Sequence, residues 1–159
     1  MKEFNFDSLC TKQLSGVSKT IILGAPLQSE EHLNDQLVRI KLILEKIQPT
    51  DEILLKPHYS SKPELLNAMK RQWRKEGVKC ELLNDNRPIE SVISRYNCDA
   101  VYAIHPTSAL INLSLMFGPS VQFYFYREHW LNERLSQVFS RLEITALDEN
   151  QLTETLKLL

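Results

Sequence analysis

The chain has almost no net charge, −1 over 159 residues. That leaves no electrostatic footprint for nucleic acid or for an anionic membrane surface. Cysteine is scarce: Cys10, Cys80 and Cys98 are odd in number and lack CxxC or Cys/His ligand spacing. This argues against a disulfide framework and against a zinc site, and it suits a reducing compartment. The opening Met-Lys-Glu-Phe-Asn-Phe-Asp lacks an uninterrupted apolar h-region, so no secretory signal is expected. No apolar run approaches the length needed to span a bilayer. The four glycines form no GxGxxG after a strand, and Walker A and GxSxG patterns are missing, so dinucleotide, P-loop and α/β-hydrolase readings lose their support. Internal repeats and low-complexity segments are missing too.

What the chain does have is alternation. After a polar leader, residues 1–18, read as the stump of a connection, Thr20-Ile21-Ile22-Leu23-Gly24 reads as a buried strand broken by Gly24-Ala25-Pro26. From Glu30, the residues Leu33, Leu37, Ile40, Ile43, Leu44 and Ile47 recur at helical spacing, with Glu30 and Glu31 opposing the positive end of the helix dipole. Pro49-Thr50-Asp51 ends that helix, and Glu52 to His58 reads as a second strand. Ser61-Lys62-Pro63-Glu64 has the form of a capping box; it opens a helix that buries Leu65, Leu66, Met69 and Trp73 and closes at Gly77. Further strands are expected at Val78–Leu83, Asp99–Ile104, Val121–Tyr126 and near Leu142–Thr145. Helices are expected from Pro88, over Thr107–Phe117 and Glu128–Phe139, and from Glu149. Continuous apolar strands alternating with helices mark a parallel sheet covered on both faces. The expectation is a single α/β domain over residues 19–159: a doubly wound, mainly parallel, Rossmann-like sheet.

In such a sheet, ligands bind outside the carboxyl ends of the strands. Two turns fall there, Lys56-Pro57-His58-Tyr59-Ser60-Ser61 and His105-Pro106-Thr107-Ser108-Ala109-Leu110. Thr107 and Ser108 have two readings: helix caps, or hydroxyls that join backbone N–H groups in holding a phosphate. His58 is a histidine bonded to a neighbouring loop, or a donor to a departing phosphate. Lys56, two residues earlier on the same strand face, adds positive charge or is an ordinary strand-edge lysine. Glu90 complements a helix dipole or accepts from ribose hydroxyls, with Asp85 a weaker competitor. His105 points to the ligand or packs under its loop. Lys70, Arg71, Arg74 and Lys75 read as a solvated helix face. Tyr124, Tyr126, His129 and Trp130 read as packing.

In order and approximate spacing, Lys56-Pro57-His58, Pro88-Ile89-Glu90 and Thr107-Ser108-Ala109-Leu110 resemble the carboxy-terminal half of bacterial sialyltransferases. The likeness is to the lipooligosaccharide enzymes of glycosyltransferase family 52 and to the related polysialyltransferases, over roughly Lys19 to Trp130. Two positions depart from the pattern: Tyr59 stands for the motif proline and Thr107 for the first serine. The resemblance implies one half of a GT-B fold that binds CMP-sialic acid as donor substrate, without a metal or other cofactor. It implies that His58 is catalytic at the donor phosphate, that Glu90 binds the nucleotide, and that Thr107 and Ser108 hold the phosphate, with Lys56 and His105 beside them. The general base of that family comes from an amino-terminal domain, so the implied partners are such a domain or a homo-oligomer, the nucleotide-sugar donor and a glycan acceptor. The implied place is the cytoplasm or the inner face of the bacterial inner membrane. The rival expectation is a non-catalytic α/β module that binds a partner protein or a small anion.

Overall fold

A computed structural model describes residues 19–47, 52–96, 98–128 and 130–147. The leader, Cys10, the helix end at Pro49-Thr50-Asp51, His129 and the helix expected from Glu149 lie outside the described residues.

The element order is β1 (Lys19–Leu23), α1 (Glu30–Lys46), β2 (Glu52–Lys56), α2 (Pro63–Glu76), β3 (Glu81–Leu82), α3 (Ile89–Ile93), β4 (Cys98–Ala103), α4 (Ser108–Phe117), β5 (Gln122–Tyr126), α5 (Glu133–Arg141) and β6 (Thr145–Leu147). The strands form one six-stranded sheet in the order β3-β2-β1-β4-β5-β6, and every pairing is parallel. This is the doubly wound α/β architecture. The order reverses direction between β1 and β4, which makes that gap the topological switch point.

The apolar strands are continuous because both faces are covered. Ile22, Leu55, Tyr102 and Tyr126 pack with Leu33, Ile40 and Ile43 of α1 and with Leu65, Met69 and Trp73 of α2. Ile21, Val101, Phe123 and Phe125 pack on the other face with Val92 of α3, Leu110 and Leu113 of α4, and Phe139 of α5. Ile21 and Ile22 are neighbours in sequence and are both fully buried, one in each core. A strand with a single covered face would leave one of them wet.

Helix α1 begins where its signals place it. Ser29 Oγ accepts from the His32 N–H at 3.2 Å, and Glu30 and Glu31 occupy the first turn. Helix α2 ends at Gly77, which takes a left-handed φ of 66°. Three expectations need correction. The capping box at Ser61 does not form: Lys62 is the N-cap with no side-chain bond, and Ser61 Oγ instead accepts from the Leu27 N–H at 3.2 Å. The third strand shrinks to Glu81–Leu82, because the Val78 N–H is taken by the Trp73 carbonyl at 2.9 Å in the helix-closing turn. Helix α5 starts at Glu133 rather than Glu128, capped by Asn132, whose Oδ1 accepts from the Leu135 N–H at 2.8 Å; the last strand moves with it to Thr145–Leu147.

Candidate functional site

The strand registers bring three loops to one edge. Leu23 pairs with Lys56 on one side and with Ala103 on the other, so the turns after β1, β2 and β4 leave the sheet side by side. The loop between β3 and α3 joins them. Together they enclose a cavity of about 590 Å³, within the range of small-ligand pockets. Gly24 makes the approach possible. Its N–H donates to the Lys56 carbonyl at 2.9 Å, and a Cβ there would lie 3.3 Å from that oxygen and 3.5 Å from Pro57 Cα. Beneath the same turn, buried Gln36 of α1 donates to the carbonyls of Ala25 and Pro26, at 2.9 and 3.2 Å.

Of the residues singled out from sequence, Lys56, His58, His105 and Thr107 line the cavity. Glu90 and Ser108 do not: Glu90 is half-buried on α3, and Ser108 is exposed at the start of α4. In each case the wall is made by neighbours, Pro88 and Ile89 beside Glu90, and Thr107 and Ala109 flanking Ser108. Asp85 is not on the wall either, although its partner Arg87 is.

His58 is held by the next turn of chain. The Ser60 amide donates to its Nδ1 at 3.2 Å, and Ser60 Oγ lies 2.8 Å from the same nitrogen. A backbone amide can only donate, so Nδ1 is the acceptor and the ring proton is assigned to Nε2. His58 therefore offers a ligand an N–H donor. Lys56 reaches from the end of β2 to the Asp85 carbonyl, tying the β2 turn to the β3–α3 loop. In that loop Arg87 grips the Asp85 carboxylate through its side chain, and its amide donates to Asp85 Oδ1 at 3.0 Å. The Arg87 hydrogen bonds hold the Asp85 carboxyl well below the usual carboxylate range. Thr107 caps α4, its Oγ1 accepting from the Ala109 N–H at 3.3 Å. The first turn of α4 thus faces the cavity and turns the positive end of a ten-residue helix toward it.

His105 does two things. It lines the cavity, and both of its ring nitrogens face carboxylates: Nδ1 is 2.6 Å from Glu128 Oε1, and Nε2 is 3.6 Å from Asp35 Oδ2. Arg39 completes the cluster. This α1 side chain is nearly buried, 2.6 Å from Glu128 Oε1, 3.1 Å from Asp35, and 3.2 Å from the Ile104 carbonyl to which it donates. Burial pushes the Asp35 carboxyl up, but hydrogen bonding to His105 and the charge of Arg39 outweigh it, so the group titrates below its ordinary value. Arg39, Glu128 and Asp35 escape a reading of the sequence for site residues. The available signal was Arg39 next to Ile40 on the buried stripe of α1, with Asp35 one turn earlier.

The aromatic residues after β5 divide. Tyr126 is buried, with its hydroxyl pushed up to about 12 by burial, and Tyr124 stacks on Tyr102 at 4.6 Å. Trp130 departs from the packing expectation: it is 54% exposed. Three of the four basic residues of α2, Arg71, Arg74 and Lys75, are solvent-exposed, and Lys70 is half-buried. No three His, Cys, Asp or Glu side chains among the described residues are placed to hold a metal ion, and no described helix is long and apolar enough to cross a membrane.

The chain matches no family model, no curated protein and no solved structure. The chemistry of the cavity rests on its own residues. Lys56, Arg87, His58 and His105 line it together with the first turn of α4, and no carboxylate is among the described residues on the wall. Apolar residues, Ala25, Pro26, Pro57 and Ile89, make up the rest of the same wall.

Proposed function

We propose that this chain is the donor-binding domain of a sialyltransferase-like glycosyltransferase and binds a nucleotide sugar, CMP-sialic acid, through its phosphate. The observation that carries the reading is that His58, Lys56 and a helix N-terminus meet at the switch point of a doubly wound sheet with no carboxylate among the described wall residues. Arg87 and His105, also on the wall, are paired behind it, Arg87 with Asp85 and His105 with Glu128 and Asp35. The order of Lys56-Pro57-His58, Pro88-Ile89-Glu90 and Thr107-Ser108, with its likeness to those enzymes, supports the choice of donor.

In this reading the first turn of α4 and Lys56 hold the phosphate. His58 donates from Nε2 to the phosphate oxygen on which charge develops as the bond from the sugar anomeric carbon to that oxygen breaks. Thr107 acts through α4: its Oγ1 takes the Ala109 amide and its carbonyl the Leu110 amide, which fixes the first turn and the positive end of the helix dipole beside the anion. Because Glu90 and Ser108 stand off the wall, the grip falls to His58, Lys56 and Thr107. The base that takes the proton of the acceptor hydroxyl is supplied by a second domain or chain, so the domain alone binds donor and transfers slowly.

Isothermal calorimetry with CMP and CDP on the 159-residue chain tests this. Binding at up to millimolar ligand is expected, weakened about tenfold or more by His58→Ala and by Lys56→Ala, in line with the loss of a hydrogen bond to a charged group. Silence at millimolar CMP, or binding untouched by both variants, sinks the proposal.

A further inference from the structure

Tyr59 is the most exposed large hydrophobic residue among the described residues, at 94%, yet it lines the cavity. A single exposed aromatic on a surface needs no explanation. One at the mouth of a pocket, on a backbone that is fixed, does. The turn carrying Tyr59 is pinned on both sides: the Ser61 amide donates to the His58 carbonyl at 3.0 Å, and the Lys62 amide donates to the Leu27 carbonyl at 2.9 Å. Gln28 also donates to the Ser60 carbonyl. The Tyr59 ring leans on the His58 imidazole, with centroids 4.3 Å apart and planes 32° apart. That contact covers part of one ring face and leaves the opposite face open to solvent.

We propose that Tyr59 is a stacking platform for the nucleobase of the bound nucleotide. The base lies on the open ring face while the phosphate lies inside the cavity against His58 and the first turn of α4. This rests on the reading of the cavity as a nucleotide-phosphate site and adds to it the residue that holds the base. Stacking suits the position, because an aromatic ring binds any base through its π-face and requires no buried polar partner. The apolar part of the wall, Ala25, Pro26 and Pro57, gives the sugar a surface between the two ends. His58 links the ends: one imidazole both meets the phosphate and backs the ring that carries the base.

The test uses three probes on the full chain: CMP, ribose 5-phosphate and inorganic phosphate, titrated by calorimetry into wild type, Tyr59→Ala and Tyr59→Phe. An exposed substitution of this kind leaves stability nearly unchanged, so folding does not confound the result. Tyr59→Ala is expected to weaken CMP about tenfold, to leave ribose 5-phosphate and phosphate within about twofold, and to be rescued by Tyr59→Phe. The CMP complex should also shift the Tyr59 ring protons upfield in the NMR spectrum. If Tyr59→Ala leaves CMP unchanged, or weakens CMP and ribose 5-phosphate alike, the platform is overturned while the phosphate site stands. If none of the probes binds wild type, the phosphate site fails and the platform with it.

Discussion

Replacing Arg39 with methionine keeps most of the unbranched stem and removes the charged head from a nearly buried position. The guanidinium makes three polar contacts, besides lying over the Tyr126 ring, and they are not worth the same. Its bond to Asp35 engages a carboxylate that is 41% exposed, so that arm behaves as a surface pair worth about 0–1 kcal/mol. Its contact with Glu128 is different, because the Glu128 side chain is only 12% exposed. Taking away one partner of a buried pair leaves the other charge uncompensated and costs about 3–5 kcal/mol. The Ile104 carbonyl also loses its donor, a further cost of about 1–3 kcal/mol where it is not recovered by water. These overlap, and His105 still faces Glu128 at 2.6 Å, which places the expected loss for Arg39→Met near the lower end, about 3 kcal/mol. For a chain of this size that is a fall in Tm of roughly 6–12 °C. Urea denaturation followed by circular dichroism is the assay, with an unchanged slope showing that the compactness of the end states has not moved. A cycle with Glu128→Gln sharpens it. With the carboxylate neutralised, the double variant should be more stable than the sum of the singles by at least about 1 kcal/mol. A loss below about 1 kcal/mol for Arg39→Met, or an additive cycle, would show that the cluster is not a buried ion pair and would refute the reasoning.

Gly24→Ala puts a Cβ 3.3 Å from the Lys56 carbonyl, against backbone that has little room to give; it should cost about 1–2 kcal/mol and weaken CMP, both visible in one melting experiment with and without ligand. The Cys98 thiol is pushed up to about 12 by burial, so native protein and Cys98→Ala should consume the same number of equivalents of an aromatic disulfide reagent at pH 8; the extra equivalent should react only in urea, and rapid native reaction would refute the burial. The Asp85 carboxyl titrates below its unfolded value, so its contribution is fully present above about pH 4 and is lost as pH falls through the folded value. The stability difference between wild type and Asp85→Asn should therefore be flat from pH 7 to about 4 and shrink only below that; a change between pH 5 and 7 would contradict the Arg87 pairing.

The fold was readable because its strands obey one rule along their whole length. Ile21 and Ile22 are both apolar because the sheet is covered twice, and that pattern survives whatever the loops do. Helix ends were less readable where tertiary partners compete for the same groups. Ser61 has the composition of a cap, but Leu27, 34 positions away, takes its hydroxyl. Glu128 looks like the first acid of a helix, and its carboxylate is instead folded inward onto Arg39 and His105. Strand-end residues were legible because topology places them: Lys56, His58, His105 and Thr107 all reach the cavity. Glu90 and Ser108 miss it for a local reason. Successive residues of a helix point about 100° apart, so one step beyond Ile89 turns Glu90 off the wall, and Ser108, the first helical residue after the extended cap Thr107, is exposed instead. Arg39 could not be paired with the Ile104 carbonyl from sequence, since 65 positions separate them and only the crossover brings them together.

The seam at which the cavity opens has a kinetic consequence. The central pairing, Thr20 against Ala100, closes a loop of about 80 residues, whereas β1–β2 and β4–β5 join strands much closer in the chain. The pocket walls are drawn from both sides of the β1–β4 seam, so the pocket exists only while that seam is closed. A ligand that grips both walls would accordingly slow the parting of the halves and leave local fraying at β6, which supplies no wall residue, almost untouched. It would act as a staple across a joint, and amide exchange would show it first in the middle of the sheet.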